Sequence, residues 1–115
     1  MNESSRTLAL GILGVGHFGR FHALKATANP RVRLVGLADA DPARAAAVAA
    51  EVGTQALPVD ALIRAADALV VAAPTRFHYD LAQAALGDGK HVFVEKPIAA
   101  TLDQADALVA LARGM

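Results

Sequence analysis

The 115-residue sequence contains no cysteine and no tryptophan, and its net charge at pH 7 is zero. Without cysteine the chain can form neither a disulfide framework nor a thiolate metal site, which fits a reducing compartment. Lysine and arginine together number 11, as do aspartate and glutamate, so no overall positive charge draws the chain to nucleic acid or to an anionic membrane. We therefore expect no nucleic-acid partner and no membrane partner.

Long apolar runs, internal repeats and interdomain linkers are lacking as well. No segment approaches the roughly 18 consecutive apolar residues that a membrane-spanning helix requires. The apolar run from Leu8 to Val15 is interrupted by glycine and lacks a convincing cleavage site, so it does not resemble a signal peptide. We expect a cytoplasmic protein in which residues 1–6 form a flexible amino terminus and residues 7–115 form one domain.

Alanine, valine and leucine are abundant. Hydrophobic residues make up 55% of the chain although aromatic residues make up only 4%, a composition that favours close packing of helices on a sheet. From Thr7 onward, short apolar runs alternate with longer alanine-rich stretches, which is typical of a parallel sheet with helices on its faces. The predicted strands span 8–13, 32–38, 55–57, 68–73 and 91–94, and the predicted helices span 17–28, 42–52, 59–65, 77–87 and 102–113.

This order of elements predicts an α/β fold, a doubly wound parallel sheet of the Rossmann type with helices on both faces in three αβα layers. We expect five strands in the order 3-2-1-4-5. The fifth strand, which contains Val92, Phe93 and Val94, is therefore expected to form an exposed edge through which the domain self-associates.

A glycine-rich motif with the pattern G-x-G-x-x-G follows the first predicted strand and opens the first predicted helix. It consists of Gly14, Val15, Gly16, His17, Phe18 and Gly19. We expect Gly14 to allow a tight turn, Gly16 to let the backbone approach a pyrophosphate, and Gly19 to let the helix pack closely on the strand. Backbone N–H groups and the helix dipole favour phosphate there. Glycines also occur at such turns for steric reasons alone, so the motif by itself leaves the function open.

Asp39 is the acidic residue that a dinucleotide-binding motif requires near the end of the second strand. It lies about 20 positions beyond Gly19, where a carboxylate can bind the adenosine ribose. A 2′-phosphate would meet the negative charges of Asp39 and Asp41, so we expect NAD in preference to NADP. Arg44 keeps NADP open, because a guanidinium can pair with phosphate or stack on adenine. Its alternative role is local pairing with Asp41, which is itself predicted to cap the next helix.

A further loop follows the fourth predicted strand. Ala73, Pro74 and Thr75 would let a flat cofactor lie against the backbone, and Thr75 together with His78 offers polar contacts. The alternative for His78 is an ordinary surface histidine in the first turn of a helix. The histidines show no metal-ligand spacing, so no metal site is expected.

Glu95, Lys96 and Pro97 follow the fifth predicted strand. Because the carboxyl ends of parallel strands share one edge of a sheet, this turn is expected to meet the glycine loop and the loop after the fourth strand in one crevice. Lys96 is the predicted catalytic residue, since its ammonium can donate a hydrogen bond to a substrate oxygen and stabilise developing negative charge. We also expect all three residues to contact cofactor and the Lys96–Pro97 bond to be cis. The alternative is a solvated strand end with a proline turn.

The spaced motifs resemble the amino-terminal domain of the glucose-fructose oxidoreductase and inositol dehydrogenase family (Gfo/Idh/MocA). The resemblance covers about residues 7–113 and is carried by the glycine loop with Arg20, by Asp39, by Ala73-Pro74-Thr75 with His78, and by Glu95-Lys96-Pro97. It implies hydride transfer between a nicotinamide cofactor and a hydroxyl carbon of a sugar, cyclitol or related polyol. It also implies that the glycine loop and Asp39 bind the nucleotide, that the region 74–78 and Glu95 border the nicotinamide, and that Lys96 bridges toward substrate.

Members of that family complete the sheet with a sixth strand and continue into a second domain, which supplies most substrate contacts, a general base and the oligomer interface. By this resemblance we expect the sixth strand and the substrate domain to be absent from residues 7–115. We therefore expect this chain to bind cofactor but to turn over little or no polyol or sugar substrate without that domain. The alternative is a non-catalytic dinucleotide-sensing or interaction module, because fold does not determine function. A third reading is a Rossmann reductase of amino-acid metabolism.

Overall fold

A computed structural model describes residues 7–95 and 99–114 of the chain. The described strands are β1 (Leu8–Leu13), β2 (Val32–Ala38), β3 (Ala68–Val71) and β4 (His91–Val94). The described helices are α1 (His17–Thr27), α2 (Pro42–Val52), α3 (Val59–Ala65), α4 (His78–Gly87) and α5 (Leu102–Arg113), and a 3₁₀ turn, Thr75–Phe77, precedes α4. None of the helices in these two ranges is long and apolar enough to cross a membrane.

Local sequence signals set the two ends of α2. Asp41 caps its start, because the side chain accepts hydrogen bonds from the backbone N–H groups of Ala43 and Arg44, at 3.0 and 3.3 Å. Gly53 ends the helix in the left-handed conformation, with φ at 78°. The predicted cap and the predicted stop are both confirmed.

The four strands form one parallel sheet in the order β2-β1-β3-β4. Their carboxyl ends, at Leu13, Ala38, Val71 and Val94, therefore lie along the same edge. In an open parallel sheet, ligands bind in the crevice outside this edge.

The prediction of a strand at 55–57, and with it of five strands in the order 3-2-1-4-5, is wrong. This segment forms only an isolated bridge, in which Ala56 pairs with Leu37 of β2. The other four predicted strands are present with the predicted neighbours, although β3 ends at Val71 rather than at Ala73.

Side chains and a proline explain why the bridge does not grow into a strand. The side-chain amide of Gln55 donates to the carbonyl of Val35 at 3.1 Å, and the hydroxyl of Thr54 donates to the carbonyl of Leu34 at 2.9 Å. These carbonyls thus bond side chains instead of the N–H groups of a neighbouring strand. On the other side of the bridge, Pro58 has no N–H group with which pairing could continue.

Helices cover both faces of the sheet, as predicted for a three-layer fold. Helices α1 and α2 pack on the face that contains Ile12 and Leu37, and α3 and α4 pack on the face that contains Leu69, where α3 contributes Leu62. Burial of each of these side chains contributes about 1.5–3 kcal/mol to stability. Helix α5 packs against α4 through Leu108.

An ion pair on the surface joins α1 to α2. The Nε atom of Arg20 donates to Oε1 of Glu51 at 2.9 Å. The hydrogen bond from Arg20 lowers the pKa of Glu51, and the same bond raises the pKa of Arg20. Because the pKa of Glu51 is lowered by folding, the contribution of the pair to stability is present at neutral pH and is lost as acid protonates the carboxylate. Solvent screens exposed pairs, so the contribution is small.

Candidate functional site

A crevice of about 760 Å³ lies along the edge of the sheet where the strands end. Its volume is in the range of small-molecule sites, about 300–1,000 Å³. Its wall contains Asp39 after β2, Gly14 and Gly16 after β1, Ala73 after β3 and Glu95 after β4. The crevice therefore crosses the whole sheet, from β2 at one end to β4 at the other.

Two of the three motif glycines are required by the packing of the loop itself. Gly14 has a φ of 94°, and a Cβ atom there would collide with the backbone nitrogen of Ala73. A Cβ atom at Gly19 would collide with the carbonyl oxygen of Gly14. Gly14 thus forms the tight turn as predicted, whereas Gly19 brings the first turn of α1 against the loop rather than chiefly against the strand.

Gly16 differs from the other two glycines. It is the N-cap residue of α1, and a Cβ atom added to it would have no described protein atom within 4 Å outside its chain neighbours. Packing among the described residues therefore gives no reason for glycine at this position. The space beside it belongs to the crevice, and the N-terminus of a helix favours an anionic group there.

Asp39 connects the glycine loop to the end of β2 through hydrogen bonds of its side chain. Its Oδ2 accepts a hydrogen bond from the backbone N–H of Val15 at 2.8 Å, and its Oδ1 accepts one from the N–H of Asp41 at 2.8 Å. The side chain is 8% exposed and lines the crevice. A carboxylate offers about four acceptor positions, so these two bonds leave capacity for the hydroxyl groups of a ligand.

The guanidinium of Arg44 lies beside Asp39, whereas the bond of Arg44 to Asp41 is made by its backbone N–H. Its Nη1 is 3.6 Å from Oδ1 of Asp39, and its side chain is half exposed at the β2 end of the crevice. The carboxylate of Asp39 partly neutralises the positive charge of the guanidinium. A phosphate placed here would consequently meet both charges.

His78 holds the loop that follows β3. Its Nε2 lies 2.7 Å from the carbonyl oxygen of Ala73, and only 2% of the residue is exposed. Because a carbonyl oxygen can only accept, Nε2 donates this bond. The alternative of a surface histidine is wrong, since His78 is in the first turn of α4 but buried.

The β4 end of the crevice contains Glu95. Its Oε1 lies 2.5 Å from Nε2 of His22 in α1, a partner that the sequence does not suggest. The predicted catalytic residue Lys96 and the predicted contact Pro97, with the expected cis bond between them, lie outside the described residues.

Most of the predicted contact residues line the crevice: Gly14, Gly16, His17, Phe18, Asp39, Arg44, Ala73, Pro74, Thr75, His78 and Glu95. Val15 and Gly19 are buried beneath the wall, and the N–H of Val15 already bonds Asp39. The expected region 74–78 also contains Arg76 and Phe77, which line the crevice and stack on each other with the guanidinium carbon of Arg76 4.6 Å from the ring centre of Phe77. The prediction missed Val59, which lines the crevice without any signal in the sequence.

The wall changes chemically along its length. A carboxylate, Asp39, lies at the β2 end, an open helix N-terminus lies at Gly16, and the polar side chains of Thr75 and Glu95 lie toward the β4 end. This sequence of groups fits an elongated ligand with hydroxyl groups toward its ends and an anion near its middle. Among the described residues, no cluster of three or more histidine, aspartate or glutamate side chains could hold a metal ion.

Comparison with known proteins connects this geometry to a family. Residues 8–115 match the family described as "Oxidoreductase family, NAD-binding Rossmann fold". The chain is 43% identical over 104 residues to UDP-N-acetylglucosamine 3-dehydrogenase from Acidithiobacillus ferrooxidans, which covers 90% of this chain and 33% of that protein. It is also 43% identical over 94 residues to inositol 2-dehydrogenase from Rhizobium meliloti, covering 80% of this chain and 28% of that protein.

Solved structures agree with the sequence comparison. The A. ferrooxidans enzyme superposes with a TM-score of 0.89 at 41% identity, over 94% of this chain and 36% of that one. GenD2 from gentamicin A biosynthesis, solved in complex with NAD, superposes with a TM-score of 0.90 at 28% identity, over 98% of this chain and 33% of that one. The chain thus spans about a third of the length of these relatives.

Proposed function

Because the chain belongs to the oxidoreductase family with an NAD-binding Rossmann fold, we propose how its crevice holds the cofactor. The pyrophosphate lies on the glycine loop at Gly16, the adenosine lies toward Asp39, and the nicotinamide lies toward Glu95. The observation that carries this proposal is the open space at Gly16, where glycine is needed only if a ligand comes close to the backbone.

The β2 end of the crevice supports NAD over NADP. Asp39 can accept hydrogen bonds from both ribose hydroxyls, because two of its acceptor positions are not used by the loop. A 2′-phosphate would add negative charge beside a carboxylate that is largely buried. The guanidinium of Arg44 would offset this repulsion only in part, since the carboxylate of Asp39 already neutralises part of its positive charge.

We propose further that the complete enzyme transfers hydride between NAD and a hydroxyl carbon of a sugar, cyclitol or related polyol. The named activities of the two relatives, a nucleotide-sugar dehydrogenase and an inositol dehydrogenase, support this substrate class. The cofactor supplies the hydride chemistry when bound, and the protein supplies binding and orientation. Lys96 remains the proposed catalytic residue, donating a hydrogen bond to the substrate oxygen. We expect the 115-residue chain, assayed alone, to bind cofactor with little or no turnover.

Calorimetric titration of the chain with NADH and with NADPH tests the cofactor proposal. We expect NADH to bind at least about tenfold more tightly, because a desolvated like-charge contact costs more than about 1.4 kcal/mol. The Asp39→Ser variant should lose most of this preference, because serine carries no charge that would repel a 2′-phosphate.

Asp60→Ser is the matched control, because Asp60 is exposed on α3, pairs only with Arg64 among the ion partners described, and does not line the crevice. It should keep the preference of the unmodified chain. Tighter binding of NADPH than of NADH by the unmodified chain would contradict the proposal.

A further inference from the structure

An interaction between distant parts of the chain lies at the β4 end of the crevice. His22, in the second turn of α1, and Glu95, the first residue after β4, are 73 positions apart. Their side chains are 28% and 32% exposed, so the contact is partly shielded from water. It connects the helix that follows the glycine loop to the loop that begins beyond β4.

Aromatic contacts fix the orientation of the His22 ring. The ring meets Phe93 of β4 edge to face, with centroids 5.9 Å apart and planes at 66°, and it meets Phe21 in the same manner at 6.3 Å and 70°. Such contacts stabilise one orientation of a ring beyond the area they bury. The ring therefore presents Nε2 to the carboxylate of Glu95 instead of rotating freely on the surface.

The strand order determines which part of the cofactor comes near this pair. Asp39 follows β2 at one edge of the sheet and Glu95 follows β4 at the other, with the glycine loop between them. If the adenosine of NAD lies at Asp39 and the pyrophosphate at Gly16, the nicotinamide is directed toward Glu95. This step rests on the function proposed above.

We propose that His22 is a positioning residue for the nicotinamide end of the crevice. Its Nε2–H donates to Oε1 of Glu95 and holds that carboxylate against the crevice wall. A carboxylate can accept several hydrogen bonds, so Glu95 can accept at the same time from the carboxamide N–H₂ of the nicotinamide. Without His22 the carboxylate would have to be ordered by the ligand, at the cost of side-chain entropy.

Binding of NADH and of ADP-ribose, measured side by side, tests this role. ADP-ribose contains the adenosine, both phosphates and both riboses but no nicotinamide. The His22→Phe variant keeps an aromatic ring between Phe21 and Phe93 but removes the donor. We expect it to bind NADH about tenfold more weakly and ADP-ribose as tightly as the unmodified chain. The His22→Gln variant, whose amide can donate, should recover most of the affinity for NADH.

A merely structural role would reduce binding of both ligands equally, and that result would overturn the proposal, as would an unchanged affinity for NADH. Glu95→Ala, alone and combined with His22→Phe, gives an independent measurement if one variant folds poorly. The losses should not add, since both changes remove the same contact, and fully additive losses would count against a positioning role. Failure of the unmodified chain to bind either ligand would refute the proposed function itself, and with it this inference.

Discussion

Asp39 and His78 each hold a piece of backbone in place at the crevice wall, through the N–H of Val15 and the carbonyl of Ala73 respectively. Replacing either residue changes the shape of the loop together with any contact to a ligand. Gly16 is different, because a methyl group there would meet space rather than protein. Substitution at Gly16 can therefore separate ligand binding from folding.

We predict that Gly16→Ala keeps the melting temperature of the chain within a few degrees and weakens NADH binding at least about tenfold, since the added methyl group would occupy the place of a phosphate. Thermal unfolding followed by circular dichroism, together with titration of NADH, measures both effects. Gly87→Ala is the matched control, because a Cβ atom there also meets open space but lies away from the crevice. If Gly16→Ala binds NADH as tightly as the unmodified chain does, the proposed position of the phosphate at Gly16 is contradicted.

Most of the residues predicted to contact cofactor do line the crevice, but the bonds between them were not predictable. Asp39 follows from its spacing to the glycine motif, because that spacing reflects the length of one strand-helix-strand unit. The hydrogen bond that Asp39 accepts from the N–H of Val15 depends on the final loop geometry, and no sequence pattern indicates it. The contact of His22 with Glu95 spans 73 positions, so no local pattern indicates it.

Among the described secondary-structure elements, β4 is the one most available for pairing with a strand of a second molecule. It pairs with β3 on one side, and no strand within 7–95 or 99–114 pairs with its other side. Phe93, at its centre, is 57% exposed. The opposite edge strand, β2, is partly covered by the bridge at Ala56. A short apolar edge with unpaired backbone groups favours association with a second strand.

We predict that the isolated chain self-associates through β4, with a mass in light scattering that rises with concentration. Phe93→Lys should reduce this association, because a charged side chain on an edge strand opposes pairing. Leu102→Lys is the control, since Leu102 is even more exposed but lies in α5 and not on the edge strand. A single monomeric mass at high concentration would contradict self-association. An equal effect of both substitutions would contradict the assignment of the contact to β4.

Sequence reasoning succeeded for elements whose ends carry local signals and failed where two kinds of bonds compete. Asp41 and Gly53 mark the ends of α2 through their own side-chain and backbone chemistry. The segment 55–57 lies where the alternation of strands and helices leads to the expectation of a strand, yet the side chain of Gln55 occupies the carbonyl of Val35 that a strand would use. That competition is decided by tertiary position, which propensity does not report.

For the molecule as a whole, the parallel order β2-β1-β3-β4 is what turns separate motifs into one site. It brings loops that begin at residues 14, 39, 72 and 95 to the same edge and leaves a continuous crevice across them. The alternation of apolar strands and alanine-rich helices was enough to predict that the strands are parallel and that their carboxyl ends share one edge, but not that the sheet has four strands instead of five. The central claim is that one dinucleotide lies across all four strand ends.

The most direct test of that claim is a map of backbone amide chemical shifts during titration of the chain with NADH. We expect changes along the whole carboxyl edge of the sheet, at Gly16, Asp39, Thr75 and Glu95. We expect no changes at the amino ends of the strands, for which Leu8 is the marker. Changes confined to one end of the crevice, or centred on the amino ends of the strands, would contradict the claim.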